Sequence, residues 1–256
     1  MKSFHKFHTP TKPINIMEVD LFIPCFIDQV YPDTAFNLVK ILEKLDIQVH
    51  YNTEQTCCGQ MAFNSGYWDE ALVLGEKFIK DFNTGRVVVG PSASCIGMVK
   101  NHYPKLFNNT SLHNTFKEVQ SNIVEISDFL VNHLHVTNLG ARFPHKVAVH
   151  DSCAGLREYG LTHEVRTLLA KVKDIEIVEM KESDTCCGFG GTFSVKHEAI
   201  STSMAEQKVN NAIESGAEYI VSTESSCLLH LEAYIKKHQS PIKTIHIVDI
   251  LASGWE

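Results

Sequence analysis

The tetrapeptide Thr-Cys-Cys-Gly occurs twice in this chain, as Thr56-Cys57-Cys58-Gly59 and Thr185-Cys186-Cys187-Gly188. Each pair of adjacent cysteines has one cysteine before it and one after it. Cys25 precedes Cys57 by 32 positions, and Cys153 precedes Cys186 by 33. Cys95 follows Cys58 by 37 positions, and Cys227 follows Cys187 by 40. These positions use all 8 cysteines. The chain therefore reads as a tandem repeat with four thiols per copy, and a repeat of this kind fixes the fold search before any local pattern does.

Within the first copy, residues 19–23 form a short apolar run that stops at Pro24-Cys25, as a buried strand would. Asp33 is a candidate cap for a helix with Phe36, Val39, Leu42 and Leu45 on one stripe. Residues 47–51 alternate as a strand and lead into the first Cys-Cys-Gly. A second helix carries Trp68, Ala71, Leu72, Phe78, Ile79 and Phe82, and residues 87–89 give a strand before Cys95. Residues 102–121 receive no element; a strand at 123–126 and a helix from Ser127 follow. The second copy replays the order, with strands at 147–149, 175–178, 219–221 and 245–248 and helices around Val165 to Val172 and Ile200 to Ile213. Gly216 is placed as the left-handed cap of the latter.

Alternating strands and helices predict an α/β fold: two tandem, pseudo-symmetric Rossmann-like βαβ repeats with parallel sheets. The expected division is a disordered tail at 1–16, a first cysteine-rich domain at 17–140 and a second at 141–256. Ligand groups in such sheets collect beyond the carboxyl ends of the strands, so all eight thiols should gather at one end.

Composition excludes several classes. A net charge of -7 argues against a nucleic-acid partner. No apolar run approaches the ~20 residues of a membrane span. The polar N-terminus lacks the apolar segment of a signal peptide, so a cytoplasmic, reducing location is expected. In that compartment a cysteine framework signals metal or catalysis rather than structural disulfides.

Three uses remain for the thiols. Disulfides suit neither the compartment nor adjacent cysteines. Zinc takes four thiolates, usually as two Cys-x-x-Cys knuckles with a short spacer, and this chain has neither. An iron–sulfur cluster needs anionic sulfur, and each copy supplies one complete set: Cys25, Cys57, Cys58 and Cys95, then Cys153, Cys186, Cys187 and Cys227. Gly59 and Gly188 fit a backbone that approaches a cluster closely. His150, Asp151 and Ser152 before Cys153, and His230 after Cys227, are candidates for tuning it from behind the thiols. Met98 stands where His230 does and reads as packing. The run Gly188-Phe189-Gly190-Gly191 lacks the third glycine of a dinucleotide loop, because Phe193 falls there.

The double pattern resembles the cysteine-rich CCG domain of heterodisulfide reductase and of the glycolate oxidase iron–sulfur subunit. It is more similar to the lactate-utilisation protein A family. That resemblance rests on Ile23-Pro24-Cys25, on Gln55 to Gln60, on Ala62 to Tyr67, on Ser94-Cys95, on His150 to Cys153 and on Cys186 to Lys196. Met61 and Ala93 depart from it, where family members tend to have Pro and Gly; neither touches a thiol. The resemblance implies an iron–sulfur electron-transfer subunit, with [4Fe-4S] clusters, of a cytosolic complex oxidising L-lactate to pyruvate. Its implied partners are a ferredoxin-like iron–sulfur protein and a small third component. A thiol or heterodisulfide reductase, a glycolate oxidase-type subunit and a zinc-stabilised scaffold are the alternatives. Reductase relatives end the pattern in Cys-x-x-Cys; here that last position is Met98 or His230, so their cluster type does not carry over.

The two copies are not expected to be equal. The second has the glycine-rich loop and the polar residues His150, Asp151, Ser152 and His230. The first has Ile23, Pro24 and Met98. The second site should therefore be the more chemically active, and the first harder to reduce.

Overall fold

A computed structural model describes residues 17–255. The expected tail at 1–16 lies outside the described residues. The first copy forms a four-stranded parallel sheet from β1 (Glu18–Leu21), β2 (Gln48–Tyr51), β3 (Val87–Gly90) and β4 (Ile123–Glu125), in the order β2-β1-β3-β4. The second forms another from β5 (Lys146–Val149), β6 (Glu176–Ile177), β7 (Tyr219–Ser222) and β8 (Lys243–His246), in the order β6-β5-β7-β8. The same order and direction twice is the predicted pair of α/β repeats, and helices connect the strands as parallel pairing requires.

The core has three parts. The faces of both sheets that look towards each other share one apolar layer, in which Val19, Leu21, Leu38 and Ile41 pack with Val149, Leu168, Val221 and Ile250. The outer face of the first sheet is covered by an aromatic cluster containing Phe22, Phe78, Tyr103, Phe107 and Phe116. The outer face of the second is covered by smaller residues, among them Ala148, Ala205, Val209 and Ala212. The central strands β1 and β5 are thus buried on both faces; β5 reads as a continuous apolar run, while in β1 Asp20 is buried and paired with Arg86 between Val19 and Leu21.

The copies interlock reciprocally. Thr34 and Asn37 of helix Pro32–Lys44 both donate to Asp249 of helix Ile247–Leu251, at 2.9 Å each. In the other direction Asn132 donates to Glu164, at 3.0 Å. At the carboxyl ends of the strands, Glu224 of the second copy accepts from the Ser94 backbone N–H at 2.9 Å and from the Ser92 hydroxyl. Helix Ala93–Gly97 packs on the helical turn Ala154–Tyr159. The stretch 102–121, read as featureless, holds helices Tyr103–Phe107 and His113–Asn122. Helix Pro32–Lys44 starts at Pro32, which suits a first helical position, so Asp33 lies in its first turn rather than capping it. Among the described residues no helix is long and apolar enough to cross a membrane.

Candidate functional site

Each of the four single cysteines follows a sheet-centre strand directly. Cys25 opens helix Cys25–Val30 after β1, and Cys95 lies in Ala93–Gly97 after β3. Cys153 immediately precedes the turn Ala154–Tyr159 after β5, and Cys227 lies in the first turn of Ser225–His238 after β7. Strand-to-helix connections this short put the thiols on helix N-termini, where free N–H groups and the helix dipole favour negative sulfur. The Cys-Cys-Gly pairs lie in the loops after β2 and β6, before helices Gln60–Asn64 and Thr192–Lys196.

Gly59 and Gly188 are required for a reason the sequence did not show. Both have left-handed φ, +81° and +95°. A Cβ on Gly59 would stand 3.3 Å from the Ala71 carbonyl oxygen, and one on Gly188 only 2.6 Å from that of Ser201. The close approach is to the backbone of the following helix. That docking aims each glycine N–H at the first sulfur of its pair, Cys57 or Cys186, at 3.4 Å in both cases. Gly188→Ala should therefore cost about 3 kcal/mol of unfolding free energy and Gly59→Ala about half that, from strain plus overpacking. Urea unfolding of the two variants checks the order; equal losses would show that the 2.6 Å approach is not the cause.

All eight thiols are free and line one cleft, open to solvent, with a cavity volume of about 160 Å³. Within each set the sulfurs interact directly. Cys57 is held well below the ordinary thiol range, first by the thiol of Cys25 and then by that of Cys58. Cys186 is held down in the same way by Cys153 and Cys187. Cys25 and Cys153 are pushed up as the corresponding donors. Cys227 is lowered to about 5, chiefly by the neighbouring Cys187 and further by His150. The first set thus has one sulfur favoured as thiolate, Cys57, and the second has two, Cys186 and Cys227; thiolate is the form that binds metal. At the mouth, Phe26 of the first copy meets Phe189 of the second edge to face, with ring centroids 5.5 Å apart. A Cβ on Gly191 would stand 2.9 Å from Met61 Sδ, so the second glycine loop closes against the first copy.

The candidates around the thiols separate by geometry. Asp151 forms a two-pronged ion pair with Arg166, at 2.8 and 2.9 Å, and is spent there. Ser152 caps the turn that follows, accepting from the Gly155 N–H at 3.1 Å. His230 Nε2 is engaged by the Ser201 hydroxyl at 3.1 Å. Met98 is buried in the aromatic cluster, as packing. His150 is different: it is 2% exposed, neither ring nitrogen has a hydrogen-bond partner, and it lies beside Cys187 and Cys227.

Two residues escaped the sequence reading. Glu224 lines the shared cleft, and burial pushes it up to about 7. Lys208 is buried behind the second pair and donates to the carbonyls of Glu182 and Ser183. Ala71 and Ser201 occupy matching places against the two glycines, so Phe78 and Lys208, each 7 positions further on, also match. Aligning the copies with one extra residue in the second glycine loop would have revealed this exchange.

The Cysteine-rich domain family, CCG, matches residues 19–100 and 147–232, one match per sheet. Lactate utilization protein A of Oceanobacillus iheyensis is 39% identical over 241 residues, covering 94% of this chain and 98% of that protein. The Bacillus pumilus protein of the same name is 38% identical over 238 residues, covering 93% and 100%. A hypothetical protein from Helicobacter pylori shares the fold, with a TM-score of 0.59 at 14% identity over 93% of this chain and 49% of that one.

Proposed function

Because this chain belongs to the lactate utilization protein A family, we propose that it is a cytoplasmic iron–sulfur electron-transfer subunit of a multi-protein system that oxidises L-lactate to pyruvate. The observation that carries this reading is the gathering of two complete four-thiol sets in one cleft. Each set matches the ligand demand of one [4Fe-4S] cluster. Cys25, Cys57, Cys58 and Cys95 would hold one, and Cys153, Cys186, Cys187 and Cys227 the other. A lone zinc ion makes a closed tetrahedral site and has no use for an open cleft of about 160 Å³ shared by two thiol sets. When bound, the clusters supply one-electron transfer. The chain's own groups prepare for them: helix N-termini favour the thiolates, and the Gly59 and Gly188 N–H groups face sulfur.

Among the described residues, the cleft lining includes Glu158 and Glu224 and neither lysine nor arginine. A small carboxylate such as lactate finds no cation there, and buried negative charge without a partner is costly. We therefore assign lactate binding to a partner chain and electron transfer to this one. The partners fit the ferredoxin-like iron–sulfur protein and small third component that the family resemblance implies.

Anaerobically purified protein should be brown and contain iron and acid-labile sulfide, up to one cluster per copy. Stoichiometric zinc without sulfide would falsify the cluster reading. Deleting the gene should abolish growth on L-lactate and spare growth on pyruvate; unimpaired growth on L-lactate would remove the lactate role while leaving the metal result standing.

A further inference from the structure

Helix Glu198–Glu214 packs its backbone against Gly188, as helix Trp68–Phe82 does against Gly59. Seven positions beyond those contacts the two copies differ. In the first, Phe78 meets Phe22 edge to face at 4.9 Å, and its ring centroid lies 4.6 Å from that of Phe82. The interior at this position is therefore hydrocarbon. In the second copy the same position holds Lys208, which is 2% exposed. The other buried residues of its helix are Ser201, Ala205, Val209 and Ala212, so Lys208 stands on the stripe that faces the core.

A buried ammonium is costly unless it is paired. Lys208 donates to the backbone carbonyls of Glu182 and Ser183, in the turn that leads into Cys186. Among the described residues its hydrogen bonds go to these carbonyls and to no carboxylate. The turn has other anchors on the same helix. Gln207 donates to the Glu182 carboxylate at 2.6 Å, and Asn211 to the Lys181 carbonyl at 3.0 Å. The anion that Lys208 does feel is sulfur. Burial lowers its pKa, and of the negative groups that oppose this, Cys187 acts most strongly, ahead of Asp184, Glu182 and Asp151.

We propose that Lys208 is the fixed counter-charge of the second thiol set, and that its field raises the reduction potential of the centre held by Cys153, Cys186, Cys187 and Cys227. This rests on the iron–sulfur reading above and deepens it. Lys208 lies behind the cleft, outside its lining, and acts through the interior, where charges are weakly screened. Each electron added to the second centre adds one negative charge, which the ammonium stabilises. No bond forms or breaks, and Lys208 keeps its proton. The first set, with Phe78 at this position, has no such charge, so its centre stays at the lower potential.

The test is stepwise reduction of the full chain, purified anaerobically with its iron, with dithionite as the electron source and EPR as the readout. Lys208→Met removes the charge and keeps the length of the side chain. Lys208→Gln removes the charge and keeps an N–H donor for the carbonyls. Both should cut the ratio of reduced to oxidised second centre at a fixed potential by about tenfold, about 59 mV for one electron, and leave the first centre unmoved. Gln207→Ala, which loosens the same turn without changing its charge, should leave both centres unmoved. Midpoints that ignore both Lys208 variants, equal movement of the two centres, or an equal shift in Gln207→Ala overturns the assignment. Loss of the second cluster from both Lys208 variants also overturns it, since Lys208 is then an anchor of the loop. Protein without iron removes the iron–sulfur reading, and this role with it; iron whose midpoints ignore Lys208 removes only the counter-charge.

Discussion

Cys187→Ser should abolish lactate-dependent electron transfer through the reconstituted complex, lowering it by about a hundredfold or more, whereas Cys58→Ser should lower it less, with iron loss confined to one cluster in each. The lower bound comes from outer-shell changes around metal sites, which already cost about 10–100-fold; a lost ligand costs more. Both cysteines are buried, so burial does not separate them. Their surroundings do. Behind Cys58 lies the Phe22, Phe78 and Phe82 cluster. Behind Cys187 lie His150 and the Lys208 ammonium. Adding an electron to a cluster adds negative charge, which an apolar wall opposes and nearby polar or cationic groups favour. On the iron–sulfur reading, the second set should therefore be the one whose cluster takes electrons readily. Paired iron analyses and turnover assays on the two variants check the order. If Cys58→Ser stops turnover while Cys187→Ser leaves turnover and iron unchanged, the ranking is reversed and the polar surround is not what matters.

The strands and long helices were legible because their signals are local. Val147, Ala148 and Val149 are all buried and leave a continuous apolar run, and Val19, Leu21, Phe22 and Ile23 leave one broken only by Asp20. Helix Trp68–Phe82 keeps its stripe over four turns. The helices at Tyr103–Phe107 and His113–Asn122 were invisible for the opposite reason. The first is five residues long with Pro104 near its start, too short to show a period, although Tyr103, Phe107 and Phe116 are all buried. The thiol sets were legible because the cysteines and their repeated spacing are visible in the chain itself. Their gathering beyond the carboxyl ends of the strands follows from the parallel sheets; that the two sets share one cleft was not legible, since it depends on contacts such as Glu224 with Ser94 that join residues 130 positions apart. The close approach of Gly188 to the Ser201 carbonyl, and of Gly59 to that of Ala71, was not legible, because a sequence does not say which backbone comes within 2.6 Å. Lys208 was missed since a lysine in a helix ordinarily faces water; only the opposite copy, with Phe78 in its place, marks the position as interior.

Away from the thiol cleft, the contribution of Glu125 to stability should fall as pH rises towards 8, and Glu125→Gln should remove that slope. Glu125 ends β4 and is fully buried. Burial pushes its pKa up to about 8, against the pull of hydrogen bonds from the Ser127 and Asp128 backbone N–H groups; the charge of Asp128 adds a little in the upward direction. In the unfolded chain the carboxyl ionises at its ordinary value near 4.5. Below that value both states hold the proton and the contribution to stability is complete. Between the two values the unfolded chain gives up its proton and the folded chain keeps it, so the folded state loses ground at a ceiling of about 1.4 kcal/mol per pH unit. Above about 8 the contribution is gone. Glutamine reproduces the neutral carboxyl and still accepts from Ser127, whose N–H lies 2.6 Å from the present oxygen. Glu125→Gln should therefore unfold near the wild-type midpoint at about pH 5 and hold an advantage on the order of 2–3 kcal/mol at about pH 8.5. Tyr159, bonded to Asp128 and accepting from the Glu125 N–H, is unchanged by the substitution and keeps the local frame. Urea unfolding of both proteins at the two pH values is the measurement, and a difference that does not grow with pH would place the ionisation of Glu125 outside the folding equilibrium.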